Sequence, residues 1–220
     1  MEKNIENETN DDDGSSSKLV LEGVSEKTLL STGIRVGTLI KTKNMEKFIS
    51  KTRSDGLHVL DLEKILDRID LISKFLARLD MKKVVVYSSR EYAFEPITKF
   101  CELTGAIKIT GRFMPGTFTN PIYPGHLDAE AVIIVDPNLD SQAVNEASTI
   151  GIPVISLCDT DNISDEIDII LPSNNRGRKS LACVFWCLCR QLKLKNGSLK
   201  SNQNLEYGID DFETKLESEN

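Results

Sequence analysis

Histidine is scarce in this 220-residue chain, which carries only His58 and His126, and there is a single tryptophan. Both histidines lie far from Cys183, Cys187 and Cys189, and those cysteines lack Cys-x-x-Cys spacing, so no zinc site is expected. No serine stands in a Gly-x-Ser-x-Gly elbow, which leaves a nucleophilic triad unsupported. No Gly-x-Gly-x-x-Gly follows an apolar run, which removes the dinucleotide fingerprint, and no cofactor is expected. No apolar stretch reaches the roughly 20 residues that cross a bilayer, and Met1 to Asn10 has no basic start followed by an apolar run. Neither a membrane anchor nor a signal peptide is expected, which points to the cytoplasm. There thiols stay reduced, so the five cysteines (Cys101, Cys158, Cys183, Cys187, Cys189), all inside apolar segments, are expected to be free core residues.

What is present is enough to build a core: 40% of residues are hydrophobic and 28% charged. The net charge of −7 is unevenly placed. Residues 1–17 hold six acids and one base, as do residues 201–220, so that 25 bases face 22 acids in between and the body is weakly cationic. Composition thus divides the chain into an acidic N-terminal tail (1–17), one α/β domain (18–200) and an acidic C-terminal tail (201–220). Tails poor in aromatics and rich in Asn, Ser and Glu are expected to be disordered, or to order only against a partner.

Along the body, Lys18 to Ser31 reads as a short helix stopped at Gly33. A basic stretch follows, with Lys41, Lys43, Lys47, Lys51 and Arg53. Leu57 to Leu60 alternates like a strand, and Asp61 caps a helix with apolar residues at helical spacing from Leu62 to Leu79. Short apolar strands then alternate with helices: Val84–Tyr87, a helix from about Ala93 to Leu103, Ala106–Ile109, Val132–Val135, a helix ending at Gly151, Val154–Leu157, Ile167–Leu171, and a helix from Arg178 to Lys195. Continuous apolar strands alternating with helices predict a parallel sheet covered on both faces, a doubly wound α/β sandwich. Its polar strand exits, Ser88 to Arg90, Asp136 to Asn138, Cys158 to Asp161 and Pro172 to Asn175, then share the carboxyl edge, where such folds bind ligands.

The stretch Gly111 to Pro124 interrupts this alternation. Its glycines, prolines, arginine and phenylalanines make a shaped loop. Gly111 and Gly116 enclose four residues as in a phosphate-binding P-loop, but Thr117 stands where the lysine belongs and Phe118 where the magnesium-binding hydroxyl belongs. The loop instead offers a planar cation beside aromatic rings, suited to phosphates, unpaired bases or a partner protein. A second cationic stretch, Asn174-Asn175-Arg176-Gly177-Arg178-Lys179, opens the last helix, whose N-terminus favours phosphate oxygens. Trp186 and Phe185, set among Leu181, Val184 and Leu188, read as that helix's buried face. Asp136, Asp159 and Asp161 could bring carboxylates together at the carboxyl edge. That leaves a second reading, a nucleotide- or metal-dependent enzyme, beside the ordinary one of turn formers and caps.

Several runs, in order, carry a resemblance: Thr110-Gly111-Arg112-Phe113-Met114-Pro115-Gly116-Thr117-Phe118-Thr119-Asn120-Pro121, Asp136-Pro137, Asn145-Glu146-Ala147, Ile152-Pro153-Val154, Leu157-Cys158-Asp159-Thr160-Asp161 and Pro172-Ser173-Asn174-Asn175-Arg176-Gly177. Together with Lys41-Thr42-Lys43, Asp55-Gly56-Leu57 and Lys74 to Arg78, they make residues 20–197 resemble the family of the second protein of the small ribosomal subunit. The branch is the archaeal and eukaryotic one, called ribosomal protein SA or laminin-receptor-like in eukaryotes. The chain departs from it at Gly33-Ile34-Arg35-Val36-Gly37, where the family often has a histidine in place of the arginine. The resemblance implies a flavodoxin-like domain that binds ribosomal RNA and neighbouring small-subunit proteins and catalyses nothing. It implies a ribosome-bound protein with neither membrane nor DNA as partner. From charge and loop position, Lys41, Lys43, Arg112, Arg176, Arg178 and Lys179 are expected to contact RNA phosphates, and Phe113 and Phe118 to pack against RNA or protein.

Overall fold

A computed structural model describes residues 26–199 and 205–215. The expected tail at 1–17, the start of the first expected helix, and residues 201–204 and 216–220 lie outside the described residues. A short helix α1 (Glu26–Ser31) leads to a two-stranded antiparallel ribbon, β1 (Ile49–Thr52) and β2 (His58–Leu60). β1 lies in the basic stretch, where period-2 apolar alternation is absent, and among the described residues it pairs only with β2.

Next come α2 (Leu62–Leu76), β3 (Val84–Ser88), α3 (Phe94–Thr104), β4 (Ile107–Thr110), β5 (Ala131–Ile134), α4 (Ser141–Ile150), β6 (Val154–Cys158), β7 (Ile169–Pro172) and α5 (Arg178–Lys195). Asp61 starts α2 from an extended conformation, its carboxylate accepting from the Glu63 N–H at 3.1 Å. Leu62, Ile65, Leu66, Ile69, Ile72 and Leu76 of α2 are buried, each such side chain contributing about 1.5–3 kcal/mol when fully removed from water. α3 and α4 end at Gly105 and Gly151 in the left-handed conformation.

The five main strands are parallel in the order β4-β3-β5-β6-β7, the flavodoxin-like arrangement. In β3, Val84 and Val86 face one core while Val85 and Tyr87 face the other, which is why the strand reads as an unbroken apolar run. The larger core lies between the sheet and α2, α3 and α5. Among the described residues, α4 is the one helix on the second face. The rest of it is covered by the connection from β4 to β5, residues 111–130, where doubly wound folds place a helix.

Residues 205–215 are the described part of the expected C-terminal tail. They pack on the body through a 3-10 turn at Ile209–Phe212, with Phe212 fully buried. The buried Trp186 donates from Nε1 to the Tyr207 carbonyl at 2.8 Å, and Lys99 lies 5.2 Å from the Tyr207 ring centre. Averaged composition hides the cause: the acids are interleaved with Leu205, Ile209 and Phe212, which reach the helical core.

Candidate nucleic-acid interface

In this fold a ligand crevice opens where strand order reverses, here between the ends of β3 and β5. The chain fills that crevice with its own side chains. Arg90, leaving β3, pairs with Asp136, leaving β5. The Ser89 N–H and hydroxyl both donate to Asp140. Asn162 donates to Asp136 at 3.1 Å, and Asn175, fully buried, donates toward the Val135 and Leu157 carbonyls, each at 3.2 Å, and toward Asn162 at 3.0 Å. Asn174 also bonds within the chain. It accepts from the Arg176 and Gly177 N–H groups and donates to the Gly33 carbonyl. Backbone carbonyls left unpaired at the strand ends need these donors, a requirement that sequence alone does not display.

The carboxylates of this edge are engaged separately: Asp136 by Arg90, Asp161 by Arg176, and Asp159 by the Thr160 N–H at 2.7 Å. Burial pushes Asp159 up to about 6, against the Thr160 hydrogen bond that favours its charge. Burial also raises Asp140, against the donors of Ser89. Among the described residues no group of three or more histidines, cysteines or acids is placed to hold a metal ion. All five cysteines are buried and free of disulfides.

In the Gly111 loop, the two aromatics expected to pack against RNA or protein lie against the chain's own core. Phe113 and Phe118 are buried, packed with ring centres 5.3 Å apart, and Phe113 lies 5.1 Å from Tyr87. They are part of the hydrophobic cover of the sheet's second face. Gly111 and Gly116, at φ 86° and 92°, turn the chain back on itself in a conformation that disfavours side chains. Glu146 of α4, unassigned in the sequence reading, holds the turn from beneath. Its carboxylate accepts from the Gly116 N–H at 2.8 Å, the Phe118 N–H at 3.2 Å, the Thr119 hydroxyl and Gln142. Burial opposes its ionisation, but those donors outweigh it and hold the carboxyl below its ordinary value. The signal was an acid at an otherwise apolar face of α4, beside Ala143, Val144 and Ala147.

The six expected phosphate contacts divide in two. Lys41 pairs with Glu46 at 2.6 Å, Arg176 with Asp161, and Arg178 with Glu213 at 3.7 Å. Lys43, Arg112 and Lys179 are exposed and make no hydrogen bond or ion pair among the described residues. All three stand at the carboxyl edge. Lys43 lies beside Thr42, which bonds to the strand exit at Thr160 and Asn162; Arg112 follows β4; and Lys179 is in the first turn of α5. The N-cap of α5, Gly177, offers no side-chain acceptor, and the first turn contains no acid. Its N–H groups therefore add positive potential next to Lys179. Arg35, standing where the family's histidine is expected, donates from Nε to the Leu60 carbonyl at 2.9 Å.

The family model for "Ribosomal protein S2" matches residues 29–123 and 126–193. The chain is 51% identical over 193 residues to the small ribosomal subunit protein uS2 of Nitrosopumilus maritimus, covering 88% of this chain and 93% of the relative. It is 46% identical over 187 residues to the protein of the same name from Thermofilum pendens (85% and 87% covered) and 42% identical over 193 residues to that from Thermoplasma volcanium (88% and 97% covered).

Proposed function

The chain belongs to the ribosomal protein S2 family, and from that premise we propose that it is a structural protein of the small ribosomal subunit, of archaeal type, which binds ribosomal RNA and neighbouring proteins and catalyses no reaction. The family match across 29–123 and 126–193 carries the reading. The carboxyl edge agrees with it, because the crevice that would hold a small ligand is closed by Arg90–Asp136 and the Asn162–Asn175 ties. The enzyme alternative finds no support in the family or in the way Asp136, Asp159 and Asp161 are engaged.

In this reading Lys43, Arg112 and Lys179, with the open N-terminus of α5, contact RNA phosphates directly. Lys41, Arg176 and Arg178 exchange their internal carboxylates for phosphates or serve only to set the edge. Phosphate contacts hold and orient the chain without reading sequence. A weakly cationic body leaves neighbouring proteins a share of the binding, and the ribosome-bound chain acts in the cytoplasm. No helix among the described residues is long and apolar enough to cross a membrane.

Sedimentation of a cell lysate through a sucrose gradient tests the proposal. The chain should travel with small subunits and translating ribosomes at low salt and leave them as salt rises. A chain that stays at the top of the gradient at low salt refutes it.

A further inference from the structure

The connection from β6 to β7, residues 159–168, contains no helix, although a parallel crossover usually carries one across the sheet. Among the described residues, α4 therefore has no helical neighbour on the β6–β7 side. A groove of about 410 Å³ opens there, with Val144 and Asn145 of α4 on one wall and Ile163 and Ile167 on the other. A second recess of about 290 Å³ continues it past Ser148 to Pro153. Ile163 is 64% exposed, so apolar surface faces water along the groove. Ser141, Asn145 and Ser148 follow one another on the outer face of α4, exposed and short enough for a second helix to come close.

The rim fixes the sign of the occupant. Asp165 and Glu166 line both recesses, are exposed, and have no ion pair or hydrogen bond among the described residues. RNA phosphates would be repelled by this rim, and a second copy of the chain would bring the same acids against it. We propose that the groove receives a cationic amphipathic helix from another protein of the same particle. Its apolar face covers Ile163, Ile167 and Val144, and its Lys or Arg side chains meet Asp165 and Glu166. The inference rests on the ribosomal reading above.

The test places a benzophenone amino acid at Asn145 in chains assembled into small subunits, which are purified by sedimentation and irradiated. Mass spectrometry then identifies the adduct. The expected product is a Lys- or Arg-rich peptide of another small-subunit protein, and Asp165→Lys with Glu166→Lys should lower its yield roughly tenfold. Both substituted positions are exposed, and circular dichroism and melting of the double variant check that it folds. With the chain present in the subunits, an adduct to RNA, an adduct to a peptide without cations, no adduct, or a yield unmoved by charge reversal overturns the groove proposal alone. Absence of the chain from the subunit fraction overturns the ribosomal reading and the groove proposal with it.

Discussion

The carboxamide of Asn175 donates to that of Asn162 at 3.0 Å, and Asn162 donates in turn to Asp136 at 3.1 Å. Three strand exits, after β5, β6 and β7, are joined by this chain of buried side chains. These bonds tie the carboxyl edge together from within the chain.

Asn175→Asp replaces a donor with oxygens that face three acceptors, the Val135 and Leu157 carbonyls and Asn162. The expected loss is more than about 3 kcal/mol by urea denaturation, and larger than that of Asn175→Ala, which removes the donor without adding a charge. Equal losses would mean that the amide is not oriented as described.

Glu146→Ala leaves the Gly116 and Phe118 N–H groups unmatched and should cost about 2–4 kcal/mol, with early proteolytic nicking between 111 and 124. Because the folded-state value of Glu146 lies below the unfolded one, its stabilisation is present above the ordinary value of 4.5 and is lost as pH falls through the lower folded value. The stability gap between wild type and Glu146→Gln should therefore close on acidification below 4.5. A gap constant down to the lowest pH would contradict this role.

Gly37 marks a close approach. A Cβ there would lie 2.5 Å from Cγ2 of Thr160 and 2.9 Å from the His58 carbonyl oxygen. Gly37→Ala should cost about 1–3 kcal/mol, with partial recovery in the double variant with Thr160→Ser, which removes the methyl group. The backbone contact remains in that variant, so full recovery would conflict with the geometry.

Arg190 is 1% exposed, and none of its guanidinium nitrogens has a hydrogen-bond partner among the described residues. A buried, unanswered cation costs stability, so Arg190→Met, which keeps the apolar stem, should raise the isolated protein's urea midpoint by the equivalent of about 1–3 kcal/mol. A lowered midpoint would show that the guanidinium is answered in solution.

The sheet and its helices were legible because apolar period and strand length are local properties: α5 spans the residues expected of it, and β3, β5 and β6 lie within a residue of the expected spans. The ribbon strand β1 was hidden by its polar Ser50, Lys51 and Thr52, and the packing of residues 205–215 by its acids. At the interface, cation identity was readable but pairing was not. Whether Arg176 is free or bound to Asp161 depends on residues brought together from two strand exits. The rings of Phe113 and Phe118 looked like contacts because they sit in a polar loop. Burial is set by the sheet face below them, which appears only when β3, β5 and α4 are assembled.

The most direct test of the account is the salt dependence of release from purified small subunits, compared between wild type and the triple variant Lys43→Ala, Arg112→Ala, Lys179→Ala. If these three unpaired cations touch phosphates, the plot of log affinity against log salt should be shallower in the variant by roughly two to three, with weaker binding at low salt. Parallel lines of equal affinity would contradict the claim that this edge holds RNA.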